Sequence, residues 1–321
     1  MKTAFIMLLF AFLRLCGKRG TGEINRQEKL PAQGEKAMFQ IVQKRALNAA
    51  GTTLQMTIAA PLVARKCRPG QFVILRLDEY GERFPLTIAG FDREKGTIDI
   101  NYQPAGKSTQ MLNLLEAGDC IADVVGPLGK PTDMEGLHHV AVIGGGVGCA
   151  IAYPVAKGLH DEGIEVDMIA GFRSKDIIIL EDEMRANCTN LYITTDDGSY
   201  GEKGFTTDKL KALIESGVQY DEVIAIGPTI MMKFVCQATK PYGIRTVVSL
   251  NPIMIDGTGM CGGCRVTVGG EKKFACVDGP DFDGQLVDWD ELLKRNAFYK
   301  EEEKEAAGHV CRITGGVRSH G

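Results

Sequence analysis

Between residues 38 and 130, short segments alternate between apolar and polar side chains and are separated by turns rich in glycine and proline. Segments of this kind at fairly regular spacing are typical of a small antiparallel β-barrel. The predicted strands are residues 39–47, 53–58, 68–76, 83–89, 97–102 and 119–125. One helix is predicted here, over residues 108–116, because Ser108 or Thr109 can cap its first turn.

From residue 138 the pattern changes to wholly apolar strands that alternate with helical segments. This alternation predicts a parallel sheet with helices on its faces, which binds its ligand at the carboxyl ends of the strands. The predicted strands are residues 139–143, 165–170, 191–195, 222–226 and 245–250, with helices over 148–162, over 206–215 and after Pro228.

Two stretches of the first part are suited to an anionic cofactor. Arg83 precedes Pro85, Leu86 and Thr87, so its guanidinium can clamp a pyrophosphate while the Thr87 hydroxyl reaches a ring nitrogen. The helix opens at Gly106, Lys107, Ser108 and Thr109, where free N–H groups form an anion site. The alternatives are a surface arginine and an ordinary capped helix.

Glycines also follow two strands of the second part. Gly144, Gly145, Gly146 and Gly148 come directly after the strand at 139–143, and Gly227 and Pro228 follow the strand at 222–226. A strand, a glycine loop and a helix in succession can seat a dinucleotide pyrophosphate. No acidic residue ends the strand at 165–170, so this is not the usual dehydrogenase site; Arg173 and Lys175 there either meet a 2′-phosphate or face solvent.

Three cysteines lie close together near the C-terminus: Cys261, Cys264 and Cys276. Thiolates are soft ligands suited to iron–sulfur clusters and zinc. Asp256 lies where a plant-type [2Fe–2S] loop has its first cysteine, which predicts Asp256 as the fourth ligand of such a cluster. A structural zinc site, three buried free thiols, and an aspartate that only caps the turn at Gly257 are the alternatives.

Composition narrows the function further. A net charge of −4 leaves no basic surplus for nucleic acid, so no nucleic-acid partner is expected. The seven of the ten cysteines that lie outside residues 261–276 are widely scattered. This pattern is typical of a reducing compartment and predicts a cytoplasmic protein. Residues 1–37 begin with a short signal-like apolar run and then turn polar without periodicity. We interpret them as an upstream extension with Met38 as the natural start, against an export or anchoring segment.

Over residues 38–291 the chain resembles the ferredoxin–NADP reductase superfamily. The resemblance is most specific at four stretches: Arg83 to Thr87, Gly144 to Gly148, Gly227-Pro228, and Asp256 to Cys276. Within this superfamily the chain is similar to the electron-transfer subunits of dihydroorotate dehydrogenase and to sulfide dehydrogenase subunits. It resembles most closely the small subunits of NADH-dependent ferredoxin:NADP oxidoreductases, the electron-bifurcating transhydrogenases. Asp256 departs from the four-cysteine dihydroorotate type and fits the transhydrogenase type.

The resemblance implies an NAD(P)H-dependent oxidoreductase subunit that moves electrons between NAD(H), FAD and a [2Fe–2S] cluster. It places FAD on the two barrel sites and nicotinamide near Gly227 and Pro228. NAD is favoured, and NADP stays open. No catalytic residue beyond the cofactors is expected, since no acid–base group stands out beside the flavin. The terminal substrate is assigned to a larger flavin and iron–sulfur partner resembling the glutamate synthase small subunit.

The predicted fold class is multidomain β and α/β. The predicted units are an extension (1–37), an antiparallel FAD-binding β-barrel (38–134), a parallel-sheet α/β nicotinamide domain (135–248), a small [2Fe–2S] domain (249–290), and a C-terminal helix and tail (291–321). Two functions compete with the transhydrogenase subunit: a dihydroorotate dehydrogenase partner, and a non-enzymatic regulatory protein stabilised by zinc.

Overall fold

A computed structural model describes residues 38–308 of the chain. The predicted extension over 1–37 and the end of the predicted tail, from residue 309, lie outside the described residues. Among residues 38–308, no helix has the length and apolar character needed to cross a membrane.

The first part is a seven-stranded antiparallel sheet in the order β6-β1-β2-β5-β4-β3-β7. Its edge strands, β6 and β7, are separated in sequence by Ala122 alone, so the sheet curls into a nearly closed barrel. Apolar side chains that alternate along the strands fill its interior, among them Ile41, Met56 and Ile100. The strands are β1 (Phe39–Ala46), β2 (Leu54–Ala59), β3 (Phe72–Arg76), β4 (Phe84–Asp92), β5 (Thr97–Tyr102), β6 (Cys120–Ile121) and β7 (Asp123–Leu128).

Two helices accompany the barrel, where the sequence predicted one. Helix α2 (Lys107–Asn113) matches the predicted helix but ends three residues early, because the Leu114 and Leu115 amides turn back to carbonyls three residues before them. Helix α1 (Pro61–Lys66) was not predicted. It begins at a proline and is too short to show a helical period in the sequence.

The second part is a seven-stranded sheet in the order β11-β10-β9-β8-β12-β13-β16. All its pairs are parallel except β13 with β16. Because the strand order reverses between β8 and β12, the loops after these two strands flank the crevice where such sheets bind ligands. The strands are β8 (His139–Gly145), β9 (Glu165–Phe172), β10 (Asn190–Thr195), β11 (Glu202–Lys203), β12 (Glu222–Ile226), β13 (Arg245–Ser249) and β16 (Asp281–Asp283).

Helices cover both faces of this sheet. Helix α3 packs on one face through Val155 and Leu159, and helices α5 and α6 pack on the other through Leu210 and Val235. A barrel followed by such a sheet confirms the predicted fold class. The helices are α3 (Gly148–Asp161), α4 (Glu181–Ala186), α5 (Thr206–Glu215) and α6 (Thr229–Thr239), with 3-10 turns at Lys175–Ile177 and Lys240–Tyr242.

The last part carries the three clustered cysteines. It consists of an antiparallel hairpin, β14 (Arg265–Val268) and β15 (Glu271–Phe274), then α7 (Ala275–Asp278), and β16, which returns to the parallel sheet. Helices α8 (Trp289–Asn296) and α9 (Lys300–Gly308) follow. A small apolar core joins this part to the barrel, with Phe72 and Ile74 packed against Met254, Cys264 and Cys276.

Candidate functional site

A cavity of about 750 Å³ opens between the barrel and the parallel sheet. Both parts contribute to its walls, and most of the predicted cofactor-binding residues line it. Those residues are Pro85, Leu86, Thr87, Gly145, Gly146, Gly148, Arg173, Gly227 and Pro228. The loops after β8 and β12 therefore open into one space together with the barrel strand β4.

On the barrel side, Thr87 lies opposite Phe72 of β3, and both residues line the cavity. Asn101 of β5 also lines it and was not predicted. Its amide nitrogen donates to the Ala150 carbonyl at 3.4 Å, while Oδ1 is buried and accepts no hydrogen bond from the described residues. An unpaired acceptor in a cavity wall suits an N–H donor of a ligand. The sequence feature that could have identified Asn101 is an amide side chain between apolar residues near the end of this strand.

On the sheet side, the glycine loop is shaped by two different constraints. Gly146 has a φ of 58°, and no atom lies within 4 Å of the place where a Cβ would be, so its backbone is open to a ligand. Gly148 begins α3, and a Cβ there would lie 2.5 Å from the Ile226 carbonyl oxygen. Together with Asn101, this open loop fits a bound dinucleotide.

Six predicted cofactor-binding residues do not line the cavity: Arg83, Gly106, Lys107, Ser108, Thr109 and Gly144. Glu82 contacts two of them, Lys107 and Ser108. The Ser108 hydroxyl donates to Glu82 at 2.7 Å, and the Lys107 ammonium lies 3.6 Å from the same carboxylate. Arg83, which is exposed, follows Glu82 directly, so the two predicted anion sites of the barrel lie side by side.

Arg173 lies exposed at the end of β9, on the cavity rim. Asp196, just after the neighbouring strand β10, also lines the cavity, and its amide donates to the Phe172 carbonyl at 3.0 Å. In the sequence, an acidic group was expected only after β9, so Asp196 was not predicted. Because parallel strands end at one edge of a sheet, the carboxylate after β10 was the signal that could have found it.

The four predicted metal ligands lie on one loop and one short helix, but among residues 38–308 no three of them converge as a chelating group. Cys264 and Cys276 are buried, with their sulfur atoms 3.2 Å apart. Burial, followed by the contact with Cys264, raises the pKa of the Cys276 thiol to about 12. Cys261 is exposed, and its sulfur accepts from the Gly263 amide at 3.4 Å.

The Asp256 carboxylate folds back onto its own loop. One oxygen accepts from the Thr258 amide at 2.6 Å and the other from the Cys261 amide at 2.7 Å. The Thr258 amide, ahead of the Cys261 amide, lowers the pKa of this carboxyl. The carboxylate therefore caps the turn at Gly257 and keeps Cys261 beside it. Soft thiols and one ionised carboxylate within a single loop are a donor set that fits iron.

Comparison with known proteins adds three relatives and one family model. The model for the iron–sulfur cluster binding domain of dihydroorotate dehydrogenase B matches residues 251–288. A dihydroorotate dehydrogenase B (NAD⁺) electron-transfer subunit homolog of Thermotoga maritima is 48% identical over 282 residues, covering 88% of this chain and 99% of that protein. The electron-transfer subunit of Geobacillus thermodenitrificans is 34% identical over 239 residues, covering 72% of this chain and 90% of that protein.

Among the similar solved structures, one contains a chain that matches this protein over that chain's whole length. A chain from the structure of NADH-dependent reduced ferredoxin–NADP oxidoreductase, a study of flavin-based electron bifurcation, superposes with a TM-score of 0.80. The two chains are 45% identical, and the match covers 88% of this chain and 100% of the other.

Proposed function

The chain belongs to the family of dihydroorotate dehydrogenase B electron-transfer subunits, and on that premise we propose that it moves electrons between NAD(H), FAD and a [2Fe–2S] cluster. The resemblance predicted from the sequence is confirmed by these relatives. The proposed role is that of an oxidoreductase subunit of the ferredoxin:NADP oxidoreductase type. The electron-transfer subunit of a dihydroorotate dehydrogenase is the second candidate, favoured by the relatives at 34% identity.

The observation that carries the proposal is the shared cavity. Hydride transfer needs the nicotinamide and the flavin in contact, and a cavity with a barrel wall and a glycine-loop wall can hold both. When bound, FAD exchanges a hydride with the nicotinamide and single electrons with a cluster. The residues of the chain bind and orient the two ring systems and keep water away from them.

For FAD we propose contacts from Pro85, Leu86 and Thr87 to the ring system, and from Arg83 and the start of α2 to the pyrophosphate. The proposed α2 contacts come from Gly106, Lys107, Ser108 and Thr109. Support comes from the position of β4 in the cavity wall and from Glu82, which keeps Arg83 beside α2.

For the dinucleotide we propose the loop after β8, Gly144 to Gly148, with Arg173, Gly227 and Pro228. Their support is the open backbone at Gly146 and the position of both loops at the reversal of strand order. Asp196 beside Arg173 favours NAD, since a carboxylate accepts from ribose hydroxyls and repels a 2′-phosphate.

For the cluster we propose Asp256, Cys261, Cys264 and Cys276 as ligands. They fall within the matched segment 251–288, and the Asp256 carboxylate already lies beside the Cys261 amide. We also retain the domain boundaries predicted from the sequence, at residues 38, 135, 249 and 291, as proposals.

Relatives of this family are electron-transfer subunits, which implies a larger partner subunit. We further propose that this partner is a flavin and iron–sulfur protein similar to the glutamate synthase small subunit, because Asp256 fits the transhydrogenase type. A cytoplasmic location is also proposed: outside residues 261–276 the cysteines are widely scattered along the chain, a pattern typical of a reducing compartment.

The test is to purify the protein anaerobically and to measure FAD, iron and acid-labile sulfide. Asp256→Cys should keep a [2Fe–2S] cluster but change its EPR spectrum and reduction potential, because a carboxylate is a harder donor than a thiolate. Asp256→Ala should lose part of the cluster while its FAD content stays normal. Colourless protein would refute the function, whereas unchanged EPR spectra in both variants would refute only Asp256 as a ligand.

A further inference from the structure

Helix α8 reaches the cysteine loop through one side chain. Arg295, near the end of this helix, donates from Nη2 to the Gly263 carbonyl oxygen at 3.0 Å. Gly263 lies between Cys261 and Cys264, and its own amide donates to the Cys261 sulfur. A guanidinium from a distant part of the chain therefore anchors the turn that carries two of the proposed cluster ligands.

The charge of Arg295 has no counter-ion in the part of the chain that the structure describes. Its Nε is buried without a hydrogen-bond partner, and no carboxylate forms an ion pair with it. The acidic side chains of α8 and its cap are engaged elsewhere, with the Glu291 amide, Lys233 and Thr267 as their partners. A guanidinium with a buried, unpaired N–H is costly unless an anion lies close to it.

We propose that Arg295 is a positioning residue that holds the cysteine loop and raises the reduction potential of the cluster bound there. This inference rests on the proposed function, since three thiolates and a carboxylate would supply the missing negative charge. Reduction adds one more negative charge to a cluster. A fixed positive charge nearby therefore stabilises the reduced form more than the oxidised form.

Arg265 provides a matched control within the same loop. Its Nη1 donates to the Gly262 carbonyl oxygen at 3.2 Å, so it makes the same kind of contact one residue earlier. Arg265 is exposed, whereas Arg295 is half-buried with its Nε fully covered. Water and salt screen an exposed charge, so the two arginines should differ in their effect on the potential although their contacts are alike.

The experiment is a redox titration of the full chain, followed by EPR of the reduced cluster, for Arg295→Gln, Arg295→Lys and Arg265→Gln. Arg295→Gln should disfavour reduction on the order of tenfold, which is about 59 mV for a one-electron couple. Arg295→Lys keeps the charge and should stay close to the original potential. Arg265→Gln should change the potential by less than a third of the Arg295→Gln shift.

The inference would be overturned if Arg295→Gln kept the reduction potential of the unaltered protein. It would also be overturned if Arg295→Lys or Arg265→Gln shifted the potential as much as Arg295→Gln does. Arg295→Gln could lose its cluster altogether. In that case, a cluster with a normal reduction potential in Arg295→Lys supports the role of the charge, whereas loss of the cluster from both variants overturns it. Failure of the proposed function is distinct, because the unaltered protein itself would then contain no iron and give no EPR signal.

Discussion

At Gly148 the first turn of α3 lies close to the backbone at the end of β12. A Cβ there would lie 2.5 Å from the Ile226 carbonyl oxygen and 2.7 Å from Gly227 Cα, and backbone atoms cannot rotate away. Gly148→Ala should therefore push apart the loops after β8 and β12. We expect KM for NADH to rise on the order of tenfold, for a loss of about 1.4 kcal/mol in binding.

The control for this prediction is Gly163→Ala. Gly163 follows the same helix at its other end with a φ of 80°, and no atom lies within 4 Å of its Cβ position. Strain at positive φ should cost about 1 kcal/mol of stability and leave KM unchanged. Equal values of KM in the two variants would contradict the close approach at Gly148 as the cause.

Arg83 is exposed beside the start of α2, where the proposed FAD pyrophosphate contacts lie. Arg83→Ala should remove a charge-assisted hydrogen bond worth about 1.5–3 kcal/mol, so FAD should bind roughly 10- to 100-fold more weakly. Flavin content after gel filtration measures the loss. Arg65→Ala on the exposed side of α1 removes the same charge and should keep full flavin content.

Single helices and strands were predictable where their apolar residues recur at regular spacing or where a clear helix cap is present. Helix α5 was predicted with its observed bounds, because its apolar positions repeat at helical spacing between two strands. Hairpin β14–β15 was missed: Glu271, Lys272 and Lys273 fill most of β15, and a polar strand of four residues gives no alternation to detect. Strand β16 was missed for a related reason, since two of its three residues are aspartates.

Strand β12 is buried along its whole length, including Glu222 at its start. Burial raises the pKa of Glu222 from 4.5 to about 7, although Arg245 Nη1 lies 2.9 Å from the carboxylate and opposes the shift. An acid whose pKa is raised by folding makes the fold less stable as pH rises from the unfolded value through the folded one. Stability should therefore be lost between about pH 4.5 and 7.

Glu222→Gln removes this dependence, because the amide resembles the protonated acid. The variant should match the original protein below pH 4.5 and exceed it by roughly 3 kcal/mol above pH 7, since each tenfold change in an acid constant is about 1.4 kcal/mol. Denaturant unfolding from pH 4 to 8 measures the difference. Glu165→Gln, at the exposed first residue of the otherwise buried strand β9, controls for loss of a surface charge. A difference for Glu222→Gln that does not change with pH would contradict the assignment.

At the scale of the whole molecule, the cavity could not be predicted from the sequence. Thr87 and Gly227 were each recognised, but the sequence gives no distance between a barrel strand and a sheet loop, so their shared space emerged only from the packing of the two parts. Asn101 was missed because its role depends on which strand faces the sheet. Arg295 was missed because its contact with the cysteine loop spans 32 residues.

The three parts meet at one junction beside this cavity. The Lys130 amide donates to the Gly279 carbonyl at 2.6 Å, and the Leu250 amide donates to the Pro280 carbonyl at 2.9 Å. The Thr132 hydroxyl donates to Asp281 Oδ2 at 2.7 Å, while Oδ1 of the same carboxyl is buried without a hydrogen-bond partner among the described residues. These hydrogen bonds thus join segments from the barrel, the sheet and the cysteine part.

Burial raises the pKa of Asp281, and the hydroxyls of Thr132 and Ser249 oppose that shift by stabilising the carboxylate. Thr132→Val keeps the shape of the side chain but removes the Thr132 hydrogen bond to the buried carboxyl, which should cost about 1–3 kcal/mol of stability. Because the lost bond favours the ionised form, the folded pKa should rise further. The cost should then grow as pH rises above the ordinary aspartate pKa of 3.8, and be larger at pH 8 than at pH 4. Thr132→Ser keeps the hydroxyl and serves as the control in thermal unfolding at both pH values. A cost for Thr132→Val that is the same at both pH values, or one that Thr132→Ser shares, would show that the hydrogen bond to Asp281 does not hold this junction.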